Sequence, residues 1–375
     1  MKMINIATMF SGIGAIEHAL IRMNKKHKII FASDNDKFCK ESYFANYEIN
    51  ENNWYDDVQV IDGSKYKNKI DLLVGGSPCQ SFSMVGKRLG LNDIRGSLFY
   101  EFARIVNESK PKVFIFENVK GLINHDKGRT WETMKNVFKE IGYSNFYEQV
   151  LNSKNYNIPQ HRERIFVVGL LNKNFKYEFP NPIELKSTMQ DFLEDFTDSK
   201  YYLKEKGVKF VTSSKNRKKR YTQINGDIAL CQKANQQFNW HGDFIYEPDN
   251  DNEIFDEFIF NVNDVEEKYY LSDKVKKYVL SSGSKNFKTQ VKTDLPIARP
   301  LLQSMHKMHR SGVDNYVSHK GKLRKLTPRE CLRLMGFDDS FKQVVSDTQM
   351  YRQAGNSIVV NVLIRLLKNI DFSKI

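Results

Sequence analysis

The feature that most constrains this chain is the alternation of short apolar runs with helical segments over about its first 170 residues. Apolar runs separated by helices form βαβ units, and these units place parallel strands in one sheet. We therefore predict an α/β fold with a doubly wound, mainly parallel sheet. The predicted strands are 4–10, 28–33, 70–74, 113–116 and 164–169, and the first predicted helix is 15–23.

Polar or glycine residues follow four of these predicted strands. Gly12 and Gly14 come after the first strand, Asp34 ends the second, Gly75 follows the third and Glu117 follows the fourth. In open parallel sheets, ligands bind beyond the carboxyl ends of the strands, so we expect these residues to line one crevice. A carboxylate at Asp34 suits the ribose of any adenosine-bearing cofactor. The Gly-x-Gly pair by itself fits a dinucleotide site, a methyl-donor site or a plain turn.

One of the four cysteines stands out by its position. Cys79 lies in the polar, glycine-flanked loop 75–83, where Pro78 fixes its own φ and restricts the residue before it. A lone cysteine is usually a small core residue, but a thiol held in such a loop is a candidate nucleophile. Cys39, Cys231 and Cys331 form no Cys-x-x-Cys pair, which argues against a zinc site or disulfides and for a reducing cytoplasm.

The charge balance suits a polyanionic partner. The chain has 58 Lys and Arg against 45 Asp and Glu, a formal net charge of +13. Between Lys206 and Arg220 there are seven cations and no acid, a run that needs solvent or phosphate to offset its self-repulsion. An ordinary lysine-rich surface explains the net charge equally well. His306 and His309 lie three residues apart without further ligands nearby, so we predict no metal site.

The character of the sequence changes twice. From about residue 186 the alternation is lost, and from about residue 324 a helical pattern returns. Thr327, Pro328 and Glu330 predict a helix start with a capping box. We therefore predict one domain from 1–185 and 324–375, with a second, smaller and irregular domain at 186–323.

Six motifs occur in one order along the chain, and this order resembles the cytosine-5 DNA methyltransferase family. The resemblance is strongest to the small bacterial members of restriction–modification systems, and it covers residues 4 to about 170 and 323 to about 365. The motifs are Phe-x-Gly-x-Gly from Phe10, Pro-Cys-Gln from Pro78, Glu-Asn-Val from Glu117, Gln-x-Arg-x-Arg from Gln160, Arg-Lys-Leu-Thr-Pro-Arg-Glu from Arg324 and Gly-Asn-Ser from Gly355.

The resemblance implies a Rossmann-like catalytic domain that depends on S-adenosylmethionine, and it makes 186–323 a target-recognition domain. Cys79 would add to carbon 6 of cytosine, and Glu117 would hold the N3 edge of the base. Arg162, with Arg164 two residues later, would orient the pyrimidine carbonyl. Since carbon 6 is not accessible inside a stacked duplex, the target base must be flipped out.

The same resemblance assigns a cofactor pocket. Asp34 would bind the ribose hydroxyls and Asp57 the adenine amino group. Many family members carry Glu at the position of Asp34, so the ribose contact here is expected to be shorter or shifted. The full set of expected cofactor residues is Phe10, Gly12, Ile13, Gly14, Asp34, Asn35, Asp57, Val58, Pro78, Leu98, Asn356 and Ser357.

Double-stranded DNA is the expected partner, and the protein is expected to be a cytoplasmic monomer. No run of about 18 apolar residues occurs, so we expect no membrane span. A restriction endonuclease encoded nearby is a partner consistent with a modification enzyme. The residues expected to contact DNA are Gln80, Ser83, Lys87 and Arg88 in the loop after Cys79, and Lys215, Arg217 and Arg299 in the middle segment.

Three other functions remain open from the sequence. A tRNA-methylating branch of the same family typically replaces the Gln of Pro-Cys-Gln, whereas Gln80 is present here. A catalytically inactive DNA-binding protein of this fold would not need the set of Cys79, Glu117 and Arg162. A thiol hydrolase would need a histidine near Cys79, and His161 is the one candidate by position.

Overall fold

A computed structural model describes residues 3–77, 98–194, 210–213, 215–216, 222–224, 242–244, 271, 275, 293–301, 315–319 and 322–374. The chain forms two compact units. The first comprises Met1–Asn152, Glu163–Asn181 and Val362–Ile375, and the second comprises Ser153–Arg162 and Pro182–Asn361. The predicted domains, 1–185 with 324–375 and 186–323, were drawn from changes in the sequence pattern, and their boundaries stay a prediction.

The first unit contains a seven-stranded sheet with the strand order β3-β2-β1-β4-β5-β7-β6. Helices alternate with its strands, as predicted. In chain order the elements are β1 (Ile4–Met9), α1 (Ala15–Arg22), β2 (His27–Ser33), α2 (Lys37–Asn46), β3 (Trp54–Tyr55), β4 (Leu72–Gly75), α3 (Leu98–Ser109), β5 (Val113–Val119), α4 (Arg129–Glu140), β6 (Asn145–Asn152) and β7 (Glu163–Leu170).

Strands β1 to β5 pair in parallel, whereas β7 runs antiparallel to both β5 and β6. The predicted doubly wound, mainly parallel sheet is therefore confirmed. The strand order reverses between β1 and β4, and in doubly wound sheets ligands bind at such a switch point, beyond the carboxyl ends of the strands. The sequence pattern did not predict the short β3, the strand β6 or the antiparallel direction of β7.

Aromatic side chains fill the core between the sheet, α3 and α4. Phe99 and Phe102 of α3 contact Phe116 of β5 with ring centroids 5.8 and 5.2 Å apart. Phe114 and Phe138 lie 4.8 Å apart in the same cluster. These residues are fully buried, and burial of each large ring contributes roughly 1.5–3 kcal/mol. The core therefore holds β5, whose last residues carry the candidate chemistry.

The remaining described strands form two short pairs, and three α-helices follow them toward the C-terminus. The predicted capping box is confirmed: Thr327 Oγ1 accepts from the Glu330 amide at 3.2 Å, and the Glu330 carboxylate accepts from the Thr327 amide at 2.7 Å. The elements are β8 (Thr222–Ile224), β9 (Gly242–Phe244), β10 (Tyr316–His319), β11 (Lys322–Lys325), α5 (Pro328–Leu334), α6 (Asp347–Asn356) and α7 (Val360–Lys368).

Among the residues that the structure describes, no helix has the length and apolar character needed to cross a membrane. No group of three or more His, Cys, Asp or Glu side chains is placed to bind a metal ion among these residues. Cys39 and Cys331 are buried and are not joined in a disulfide.

Candidate functional site

The turn after β1 has a backbone conformation that few sequences tolerate. Phe10, Gly12 and Gly14 all have positive φ, at 55°, 55° and 76°. Glycine adopts this region without strain, whereas a side chain such as that of Phe10 does so at some cost. We use the name carboxyl edge for this turn together with Asp34, residues 76–77 and Glu117, which lie at or near the ends of the other strands.

Asp34 links the turn to the end of β2 through hydrogen bonds. Its Oδ2 atom accepts from the Gly12 amide at 2.8 Å, and its Oδ1 atom accepts from the Asp36 amide at 2.9 Å. The carboxylate thus has a structural role that the sequence did not indicate. Each carboxylate oxygen can accept more than one hydrogen bond, so the predicted ribose contact stays compatible with this arrangement.

Tyr47, the residue after α2, stabilises the same turn. Its hydroxyl donates to the carbonyl oxygens of Ile13 and Gly14, at 3.0 and 2.9 Å. A Cβ atom on Gly14 would collide with the Tyr47 ring, while a Cβ atom on Gly12 would meet nothing within 4 Å. Gly14 is therefore required by close packing, and the space over Gly12 is open to a ligand.

A buried polar network lies under the turn. The Glu17 carboxylate accepts from the Tyr43 hydroxyl at 2.6 Å and from the Thr8 hydroxyl at 3.2 Å. Thr8 in turn shares a hydrogen bond of 2.7 Å with Ser11, in the turn itself. Burial raises the pKa of Glu17 to about 7, although the hydrogen bonds from Tyr43 and Thr8 act in the opposite direction. Near neutral pH this carboxyl group is thus partly protonated.

The Asp57–Val58 turn is held by an arginine of α3. Arg104 donates to the carbonyl oxygens of Val58 and Ile61, at 3.1 and 2.8 Å. Asp57 accepts from the Gln59 amide at 2.9 Å and remains exposed, so its outer oxygen is accessible to a ligand. The cofactor contacts of Asp57 and Val58, and those of the exposed Asn35 and the partly exposed Leu98, stay predictions.

Glu117 and Arg164 form an ion pair at the carboxyl edge. Arg164 Nε lies 3.1 Å from Glu117 Oε1, and the two side chains are only 16% and 13% exposed. Glu117 pairs with Phe166 across the antiparallel strands, so Arg164 is its diagonal neighbour on the same face of the sheet. A Cβ atom on Gly76 would lie 2.8 Å from the backbone oxygen of Glu117 and 2.9 Å from its Oε2 atom, and the backbone contact is why glycine is needed there.

Asn118 places the start of the predicted nucleophile loop beside Glu117. Its buried side-chain amide donates to the Ser77 carbonyl oxygen at 2.8 Å. Ser77 is the residue before Pro78 and stands two residues before Cys79. Pro78 and Cys79 themselves lie outside the described residues, so the position of the thiol stays a prediction.

Arg162 belongs to the second unit and has different partners from Arg164. Its guanidinium group donates to the carbonyl oxygens of Gly355 and Ser357, at 2.9 and 3.0 Å. Arg162 is 4% exposed. It therefore holds the end of α6, which carries Asn356 and Ser357. The cofactor contacts predicted for Asn356 and Ser357, and the base contact predicted for Arg162, stay predictions.

The predicted DNA contacts lie mostly outside the described residues. This applies to Gln80, Ser83, Lys87, Arg88 and Arg217. Lys215 is partly exposed, whereas Arg299 is fully buried and its backbone is bonded twice to the Asn315 side chain. A direct DNA contact from Arg299 would require the residues that cover it to move. The contacts of Lys215 and Arg299 stay predictions.

Sequence reasoning missed several residues that support the site. Glu17, Tyr43, Tyr47 and Arg104 were not singled out, although each fixes a predicted cofactor segment. Tyr43 and Tyr47 are four residues apart, a spacing that puts them on one face of α2 and its end. Asn118 was quoted within the Glu-Asn-Val motif without a role of its own.

Comparison with known proteins gives one consistent match. Residues 4–371 match the family model described as "C-5 cytosine-specific DNA methylase". The chain is 30% identical over 438 residues to the orphan methyltransferase M.SPRI of Bacillus phage SPR, covering 99% of this chain and 98% of that protein. It is 32% identical over 357 residues to the type II methyltransferase M.HpaII of Haemophilus parainfluenzae, covering 94% and 85%.

A solved structure supports the fold independently. The Entamoeba histolytica methyltransferase EhMeth superposes with a TM-score of 0.64 and 18% sequence identity, covering 98% of both chains. At this level of identity the likeness concerns the fold alone.

Proposed function

The chain belongs to the C-5 cytosine-specific DNA methylase family, and we propose that it methylates carbon 5 of a flipped-out cytosine within a specific double-stranded DNA sequence, using S-adenosylmethionine. The observation that carries this proposal is the largely buried pair of Glu117 and Arg164 beside the segment that leads into Cys79. The likeness to type II methyltransferases supports a role as the modification enzyme of a restriction–modification system.

Carbon 5 of cytosine needs activation before it can accept a methyl group. In the proposed reaction the Cys79 thiolate adds to carbon 6, and the electron pair of the ring double bond moves toward carbon 5. Carbon 5 then takes the methyl group that the cofactor supplies. Loss of the proton from carbon 5 restores the double bond and expels the Cys79 thiolate. A base accepts this proton, so that the thiolate leaves with the charge it had at the start.

Glu117 and Arg164 act on the same ring in this proposal. Glu117 holds the N3 edge and shares a proton with it, which offsets the negative charge that thiolate addition creates. Arg164 orients Glu117 and reaches the pyrimidine carbonyl. The resemblance implied Arg162, with Arg164, for the carbonyl contact, and we favour Arg164 because it is paired with Glu117. Arg162 donates to the carbonyl oxygens of Gly355 and Ser357, and its contact with the base stays a prediction.

The residues of the carboxyl edge suit an adenosine-bearing methyl donor. The open space over Gly12 leaves room for ligand atoms, and the amide-rich turn from Phe10 to Gly14 suits a carboxylate group. Asp34 would accept from ribose hydroxyls and Asp57 from an exocyclic amino group. S-adenosylmethionine has all three groups, and its sulfonium supplies a transferable methyl group.

The remaining assignments follow the family. We propose that residues 1–185 and 324–375 serve catalysis and that 186–323 recognise the target sequence. The seven cations between Lys206 and Arg220 would contact phosphates, which set affinity and register rather than sequence. The protein would work as a cytoplasmic monomer. A restriction endonuclease encoded nearby would share its target.

Methylation mapping tests the proposal. The protein is expressed in cells that lack cytosine methylation, and bisulfite sequencing then reports which cytosines are protected. We expect one short sequence context to be methylated at nearly every occurrence, and none with Cys79→Ala. Transfer of tritiated methyl groups to tRNA, without transfer to DNA, would overturn the DNA assignment. A folded protein that binds DNA without any transfer would indicate the inactive DNA-binding alternative.

A further inference from the structure

Lysines are concentrated at the opposite edge of the seven-stranded sheet from the carboxyl edge. We call this the amino edge and define it as the connections 22–28, 67–71, 109–112, 139–145 and 171–176. Together these connections contain eleven lysines and arginines and two acids. So strong an imbalance gives this edge a positive potential of its own, independent of the lysine run 206–220.

Backbone hydrogen bonds place these connections side by side. The Ile4 amide donates to Lys26 O at 3.0 Å, and the Asp71 amide donates to Asn5 O at 2.8 Å. Further along the row, the Lys112 amide donates to Ile70 O at 3.1 Å and the Leu171 amide to Lys112 O at 3.0 Å. The lysines therefore belong to one continuous surface of the first unit.

The acids of this edge do not neutralise it. Asp71 is 2.8 Å from Lys112 and so offsets a single cation. Burial lowers the pKa of Lys110, and the nearby positive charge of Lys67 lowers it further. The cations of this edge therefore repel one another. Lys26, Lys67, Lys139 and Lys173 come from four different connections and are exposed, and none of them forms an ion pair within the described part of the chain.

We propose that the amino edge binds the phosphate backbone of a second segment of duplex DNA while the carboxyl edge acts on the first. The seven residues of β5 separate the two edges by roughly 20 Å, at about 3.3 Å per residue. Lysine suits this role because it binds phosphate as a point charge without reading bases. A site on long DNA could then be reached by transfer between segments. The inference rests on the proposed function for the first segment.

A bridging assay tests the second binding surface. A 30-base-pair duplex is immobilised, the full-length protein is added, and retention of a fluorescent second duplex is measured against salt concentration. The test variant carries Lys→Gln at Lys26, Lys67, Lys139 and Lys173, and the matched control carries Lys→Arg at the same positions. Methyl transfer to a short duplex with the mapped target is measured in parallel, so that failure of the proposed function is seen separately.

We expect the wild type and the Lys→Arg control to retain the second duplex. The Lys→Gln variant should lose at least tenfold in retention, and its slope of log affinity against log salt should be less steep by up to about 4. Its methyl transfer to the short duplex should stay within twofold of wild type. Equal retention by the Lys→Gln variant would overturn the proposal, as would no retention by the wild type. Retention through a protein dimer, seen by sedimentation, would also overturn it.

Discussion

The two edges of the seven-stranded sheet differ in how their charged groups are held. At the carboxyl edge, Asp34 accepts from two backbone amides and Glu117 is paired with Arg164 at 3.1 Å. At the amino edge, Lys26 and Lys67 project from exposed connections. Fixed groups can stabilise charge that develops at one atom, whereas mobile groups can attract a polyanion but cannot orient it. The comparison predicts that substitutions at the first edge affect chemistry and those at the second affect only salt-dependent binding.

The largest effect is expected at Glu117. Glu117→Gln removes the proton-sharing group and leaves Arg164 without its counter-charge, so kcat should fall by about 10²- to 10⁴-fold. The matched control is Glu163→Gln. Glu163 lies on β7, next to β5, and forms an exposed ion pair with Lys120 at 3.0 Å. Exposed pairs contribute little, so the control should keep its kcat. Transfer of tritiated methyl groups measures both variants, and equal losses would contradict the comparison.

The next effect concerns the pH dependence of stability. Since burial raises the folded-state pKa of Glu17 to about 7 from 4.5, the folded state retains a proton that the unfolded state releases between these values. The contribution of Glu17 to the free energy of unfolding is therefore fully present below about pH 4.5 and is lost as the pH rises to about 7. Glu17→Gln removes this dependence, so its stability relative to wild type should rise by about 3 kcal/mol from pH 4.5 to pH 8.

Urea unfolding at several pH values measures this difference. Tyr43→Phe is the informative companion variant, because it removes the 2.6 Å hydrogen bond to Glu17 while leaving the carboxyl group in place. The pH dependence should persist in that variant. A flat difference between Glu17→Gln and wild type across this range would show that Glu17 is ionised in the folded protein.

A smaller effect is expected at the glycines of the turn. Gly14→Ala places a methyl group against the Tyr47 ring at positive φ, so it should cost about 1–3 kcal/mol of stability and weaken cofactor binding. Gly12→Ala is the matched control, because its φ is also positive, at 55°, while no atom lies within 4 Å of the added Cβ. Its stability should fall by only about 1 kcal/mol. Urea unfolding measures the stability of both variants, and calorimetric titration with S-adenosylmethionine measures their cofactor binding. A larger stability loss in Gly12→Ala would refute the packing argument.

The smallest effect is expected at the amino edge. Lys67→Gln should change stability by less than about 0.5 kcal/mol and leave kcat on a short duplex unchanged. Because the charge of Lys67 helps to lower the pKa of Lys110, that pKa should rise in the variant. NMR titration of the Lys110 side chain measures the shift. A large loss of kcat in Lys67→Gln would break the distinction between the two edges.

The sequence predicted the architecture well because apolar periodicity and glycine-rich strand ends are local signals. It correctly indicated the strand that leads to Asp34 and the capping box at Thr327. It placed Glu117 just after the fourth strand, whereas β5 includes Glu117 and continues to Val119. It did not predict that β7 runs antiparallel, since periodicity carries no strand direction. The ion pair of Arg164 with Glu117 was likewise not predicted, because it joins residues on two different strands.

The residues that support the site could not be predicted from the sequence either. A glutamate in a helix is ordinarily exposed to solvent, so nothing in the pattern marked Glu17 as buried. The contact between Tyr47 and Gly14 joins residues 33 apart, and only the packed structure brings them together. Residues whose partners are close in sequence, such as Thr327 and Glu330, were the ones that could be predicted.

Trapping the covalent adduct with cytosine tests whether Cys79 is the nucleophile, as proposed. A duplex with 5-fluorocytosine at the mapped target retains the adduct, because fluorine at carbon 5 cannot leave as the proton does. Peptide mass spectrometry after incubation with S-adenosylmethionine should find the DNA on the peptide that contains Cys79, and no adduct should form with Cys79→Ala. An adduct at Cys39, Cys231 or Cys331, or methylation without any adduct at Cys79, would contradict the account.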